Sequence, residues 1–123
     1  VSLDGGTGVL ASIASPSAQR VARYGVEVAE FERIGVAAIH RAMTQNDVII
    51  IDEIGKMEMF STAFKDAVLA ALVSPKPLVA TITQGSHPWA DALRRRPDVE
   101  LWTVTYQNRD TLPERILRWL RPD

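Results

Sequence analysis

The 123-residue sequence contains no cysteine, so it can form neither a disulfide nor a thiolate metal site. That fits a cytoplasmic setting. No apolar run is long enough to span a bilayer, and no signal-peptide pattern opens the chain. An excess of either charge is also missing: 14 basic residues face 15 acidic ones, for a net charge of −1. No general attraction to nucleic acid or acidic membranes is therefore expected. His40 and His87 are the only histidines, neither with a second ligand at metal-binding spacing, which argues against zinc. No serine stands in a Gly-x-Ser-x-Gly setting. Gly-x-x-x-x-Gly-Lys-[Ser/Thr], the loop whose backbone cradles phosphates, is absent too. The chain starts at Val1 rather than methionine, as a trimmed or partial polypeptide would.

What remains is an ordinary globular composition, 46% apolar and 24% charged, enough for one domain over residues 1–123. Val1–Leu3 and Val9–Ile13 flank the glycine-rich stretch 4–8 and read as a β-hairpin. A loop carrying Arg20 and Arg23 follows. Apolar residues at 28, 31, 34, 38 and 43 predict a helix over about 27–45, interrupted at Gly35. Val48–Ile51 is a strand, and a helix capped by Ser61 runs to Val73 with Phe64, Val68 and Leu72 inward. A strand at Leu78–Thr83, a short helix at Trp89–Arg95 and a strand at Leu101–Thr105 come next. Thr111 and Glu114 suggest a capping box for the last helix. Alternation of this kind predicts an α/β fold with a mostly parallel sheet, helices on both faces, and ligands beyond the carboxyl ends of the strands.

The strand Val48–Ile51 runs straight into Asp52 and Glu53. Four β-branched residues in a row mark a buried strand. Two carboxylates at its end need compensation, because taking an ion out of water costs several kcal/mol unless something repays it. A cation, a reacting water or both would do so. Magnesium suits the place, since it keeps several waters and takes only one or two protein carboxylates. A plain solvated turn is the alternative.

The block Asp52-Glu53-Ile54-Gly55-Lys56-Met57-Glu58-Met59-Phe60-Ser61, followed by Phe64, closely resembles the Walker B region of the nucleoside-triphosphatases first described from thermophiles. Those are P-loop NTPases with a RecA-like three-layer fold. Arg23-Tyr24-Gly25-Val26, Glu30-Phe31-Glu32, Leu78-Val79-Ala80-Thr81-Ile82, and Thr105 with Asn108-Arg109-Asp110 extend the likeness along nearly the whole chain. The resemblance implies Mg²⁺-dependent hydrolysis of nucleoside triphosphates, ATP and GTP among them, to the diphosphate and phosphate. It implies Asp52 as the metal-holding aspartate and Glu53 as the catalytic glutamate. Thr83 or Gln84 would sense the γ-phosphate or the water, and Asn108 and Arg109 would contact base or sugar. Lys56 and Glu58 are candidates for a supporting shell or, equally, for a surface turn.

Where the family opens with its phosphate loop, this sequence has only Gly55-Lys56 and the lysine-free stretch 4–8. In a RecA-like sheet the phosphate-loop strand lies between the strands represented here by Leu78–Thr83 and Leu101–Thr105. An N-terminal segment carrying that loop is therefore expected as a partner of these residues, and the 123 residues alone are expected to be poor catalysts. Two other functions fit the same residues: a non-catalytic binding module without a phosphate loop, or a related nucleotide or small-molecule kinase. Arg94, Arg95 and Arg96 read as a solvated helix end, with an arginine finger across a subunit contact or a nucleic-acid patch as the alternatives.

Overall fold

A computed structural model describes residue 6 and residues 8–121. The first half of the expected hairpin, at 1–5, lies outside the described residues. Of the expected second half, Val9–Ile13, only β1 (Ala11–Ser12) is a strand, and it pairs antiparallel with β3 (Tyr24–Val26), which also pairs with β2 (Arg20–Val21). The stretch expected to be a loop is thus a small antiparallel sheet, and Ala22 turns it with φ of 52°. Arg20 fastens it by donating to the carbonyls of Ser15 at 2.8 Å and Arg23 at 2.7 Å.

The helix expected over 27–45 has three parts. α1 (Val28–Phe31) leads into a wide π turn at Glu32–Val36, and α2 (Ala37–Gln45) follows. Gly35 sits inside that turn because the Phe31 ring lies over it; a Cβ there would come within 2.8 Å of Phe31 Cε1. The wider turn shifts the phase of everything downstream, so Val36 and Ile39 are buried where the spacing predicted Ala38.

β4 (Ile49–Ile54) and β5 (Leu78–Ile82) form a parallel pair joined through α3 (Thr62–Val73), with Ile49 beside Leu78 and Ile51 beside Ala80. Such a connection needs a crossover, which α3 provides. Ser61 caps α3 as its sequence predicts, accepting from the N–H of Phe64 at 2.9 Å. Phe64, Ala67, Val68 and Ala71 bury one face of α3 against Ile49, Ile51 and Ile54. Phe64 also meets Phe31, with ring centroids 5.3 Å apart. α4 (Pro88–Arg94) adds Ala90 and Leu93 to this core, its His87 cap accepting from the Trp89 N–H through Nδ1. The alternate residues of β4 point the other way, so that Ile50 remains 64% exposed in spite of its side chain.

The segment 101–105 departs from expectation. It has no regular secondary structure and no ladder partner among the described residues, and therefore is not a strand. A groove of about 1160 Å³ separates it from the free edge of β5, with Leu112, Ile116 and Trp119 of α5 (Leu112–Leu120) on its wall. The capping box of α5 does not form either. Thr111 is already in helical conformation, and its hydroxyl donates to the carbonyl of Asn108 at 3.0 Å.

Candidate active site at the end of the parallel pair

β4 continues past Ile51 to Ile54 and includes both carboxylates, so Asp52 and Glu53 lie inside the strand near its end rather than in the turn after it. The peptide joining them is cis, and both side chains are exposed. Asp52 shares a face with Thr81 of β5, whose hydroxyl donates to Asp52 Oδ1 at 2.6 Å. This fixes the carboxylate's orientation and leaves Oδ2 without a protein donor among the described residues. Thr81 was not singled out in the sequence; only the register of two strands reveals it.

Glu53 and Glu58 close over Gly55. A Cβ on that glycine would sit 2.8 Å from Glu58 Oε2 and 3.2 Å from Glu53 Cγ, so a larger residue would push the two carboxylates aside. Glu58 lies in a 3₁₀ turn (Glu58–Phe60) and is half-buried. Burial pushes its carboxyl above the ordinary glutamate range, and the negative charges of Glu53 and Asp52 add to the rise. Backbone N–H groups of Glu58 and Gly55 oppose it in part. Such a carboxyl is harder to charge in the folded than in the unfolded chain. Its contribution to stability is therefore greatest below the unfolded value of about 4.3 and falls as pH rises from there through the raised folded value. Glu58→Gln is expected to raise the melting temperature near neutral pH, with the gain vanishing below about pH 4. Thermal melts of both proteins across that range check this; a gain that persists in acid would assign the effect to packing instead.

Lys56 crosses to the loop after β5. A Cβ built on Gly85 would lie 3.4 Å from Lys56 Cε and 3.5 Å from Thr83 Oγ1. Thr83 accepts from the Gly85 N–H at 3.2 Å, while Gln84 is exposed beside it. The structure thus groups the expected residues by sheet edge. Asp52, Glu53 and Glu58 border a groove of about 800 Å³ along β4, and Thr81, Thr83 and Gln84 border the larger groove along β5.

Asn108 and Arg109 stand apart, in the turn before α5. The Asn108 amide donates to the Thr103 carbonyl at 2.8 Å and accepts from the Thr105 N–H at 2.7 Å, which closes the turn. Arg109 lies 5.4 Å over the exposed Tyr106 ring. The three consecutive arginines do not behave as one solvated run: Arg96 pairs with Asp98, Arg95 is exposed, and Arg94 turns inward. Among the described residues, no three carboxylate, imidazole or thiolate groups converge closely enough to hold a metal ion on their own. No helix among them is long and apolar enough to cross a membrane.

The fold and the site define an α/β protein with a parallel strand pair, packed helices and a carboxylate pair at the strand ends. The chain belongs to the NTPase family, which its residues 1–117 match. It is 46% identical over 118 residues to the nucleoside-triphosphatase THEP1 of Thermofilum pendens, an alignment covering 94% of this chain and 65% of that protein. With THEP1 of Thermotoga maritima the identity is 39% over 121 residues, covering 98% and 70%. The crystal structure of THEP1 from the hyperthermophile Aquifex aeolicus superposes with a TM-score of 0.88 at 38% identity, covering 96% of this chain and 73% of that one. The chain spans 65% of the Thermofilum relative's length and 70% of the Thermotoga relative's.

Proposed function

We propose that these residues form the Walker B part of a nucleoside-triphosphatase with a RecA-like P-loop fold, which hydrolyses nucleoside triphosphates to the diphosphate and phosphate. The observation that carries this reading is the division of labour in the pair. Asp52 is oriented by Thr81, while Glu53 beside it reaches open space at the carboxyl end of a parallel strand. Kinship with proteins named nucleoside-triphosphatase supports it.

In this reading Glu53 orients a water and accepts its proton as the water attacks the γ-phosphate. Asp52 would hold Mg²⁺, which would supply neutralising charge for the transferring phosphate. The donor set suits that cation, because magnesium asks for no all-protein cage and one oriented carboxylate is available. Thr83 and Gln84 contact the γ-phosphate or the water from the neighbouring strand end. Lys56 and Glu58 support the two loops, and Asn108 fixes the turn from which Arg109 reaches the base or sugar. Among the described residues β5 pairs with β4 alone, so its other edge, along the larger groove, is open to a further strand. We assign that place to the phosphate-loop strand, and with it the phosphate-binding half of the site. A cytoplasmic setting rich in nucleotides and Mg²⁺ belongs to the same reading.

Product analysis on the full-length protein tests the proposal. With ATP or GTP and Mg²⁺, the nucleoside diphosphate and inorganic phosphate are expected in equal amounts, and chelation of the metal abolishes both. Transfer of phosphate to an added acceptor without free phosphate would identify a kinase. Nucleotide binding with no turnover would identify a non-catalytic module.

A further inference from the structure

Arg94 is the last residue of α4, and its sequence context gives no hint of where it points. Its guanidinium donates through Nη2 to the backbone carbonyl of Thr83, and again to that of Gly85 at 3.3 Å. Through Nη1 it donates to Asp91 Oδ1 at 2.7 Å, one helical turn back, and its side chain is only 19% exposed. Asp91 in turn accepts from the Ser86 hydroxyl at 3.1 Å. One planar cation and its carboxylate therefore hold three points of the loop running from β5 to α4. That loop carries Thr83 and Gln84, and Lys56 from the loop after β4 lies against its Gly85.

We propose that Arg94 is a positioning residue for hydrolysis: it locks the loop after β5 so that Thr83 and Gln84 face the reacting phosphate held opposite Glu53. The inference rests on the nucleotide-hydrolysing reading given above. The chemistry asks for arginine. A guanidinium presents its donors on separate nitrogens in a fixed fork, here Nη1 to the carboxylate and Nη2 to the carbonyls, whereas an ammonium gathers its three donors on one nitrogen without that spread. The β4–β5 core does not depend on the lock, because the strands are joined by their own ladder and by α3. Loosening the loop displaces the two side chains by a fraction of their contact distance, and misplacement on that scale is costly to rate while leaving much of the ground-state affinity.

The test uses the full-length protein with Arg94→Ala, Arg94→Lys and Asp91→Asn. We expect kcat to fall roughly tenfold or more in both Arg94 variants, and less in Asp91→Asn, with nucleotide Kd changed little. Amide hydrogen exchange should speed up at Gly85 while Ile51 and Ala80 keep their protection. If Arg94→Ala does not fold, Arg94→Lys, which keeps the charge and the stem, carries the reading. Full turnover in a variant whose Gly85 amide exchanges fast would overturn the proposal. So would kcat, Kd and strand protection declining together, which would make Arg94 a general structural residue. An unsubstituted protein with no turnover refutes the hydrolase reading itself, and is told apart by that control.

Discussion

Glu53→Gln in the full-length protein is expected to leave nucleotide affinity close to the parent's and to lower kcat by about 10²–10⁴-fold, the range for loss of a general base. Glutamine keeps the length and a hydrogen-bonding oxygen of glutamate, so the groove and the packing over Gly55 survive. What it loses is the capacity to take a proton. An interaction that matters only in the transition state lowers kcat and kcat/KM together without weakening ground-state binding. Single-turnover kinetics alongside an equilibrium titration with nucleotide measure the two quantities separately. Unchanged turnover would remove Glu53 from its role. A parallel collapse of affinity would instead make it part of the binding surface.

The second large effect concerns the support beneath the pair. Phe64 is 2% exposed and packs among Ile49, Ile51 and Ile54 on one side and Phe31 on the other. Phe64→Ala is expected to cost about 3–5 kcal/mol, the sum of lost apolar transfer and the cavity left behind. Domains of this size are stable by only about 5–15 kcal/mol, so the variant should be close to unfolding at physiological temperature. Urea denaturation of variant and parent checks it. A loss below about 1 kcal/mol would mean that the aromatic pair is free to collapse into the space. Because β4 carries both the apolar contacts and the carboxylates, this substitution should also impair the site without touching it.

Part of this was legible in the sequence for clear physical reasons. The run Val48–Ile51 announced a strand and the acidic pair near its end, though the strand starts at Ile49, takes in both acids and buries only one face, leaving Ile50 exposed. Ser61 followed by an apolar period of four announced α3 and its cap. Other features have no local signature. Strands as short as β2 and β3 are too brief to show a period. The π turn at Glu32–Val36 changes the helical phase by a fraction of a turn, and only the Phe31 ring lying on Gly35 reveals why glycine is there. Thr81 meets Asp52 across 29 positions of sequence, through a strand register no spacing rule supplies. Arg94, Arg95 and Arg96 look alike on paper, and only tertiary packing separates the loop clamp from its exposed neighbours. Leu101–Thr105 has the composition of a strand, but a ladder needs two sides.

The stretch between the carboxylates and α3 is fastened at both ends. The Ile54 carbonyl accepts from Thr83 N–H at 3.0 Å, the Gly55 carbonyl accepts from Met59 N–H at 3.0 Å, and the Ser61 hydroxyl donates to Glu32 at 2.7 Å. Asp52 and Glu53 are thus followed by a wall tied both to β5 and to the π turn. Whatever travel a working cycle demands falls to the substrate and to the elements facing that wall, so mobility probes placed on residues 52–61 should stay silent while those across the cleft respond.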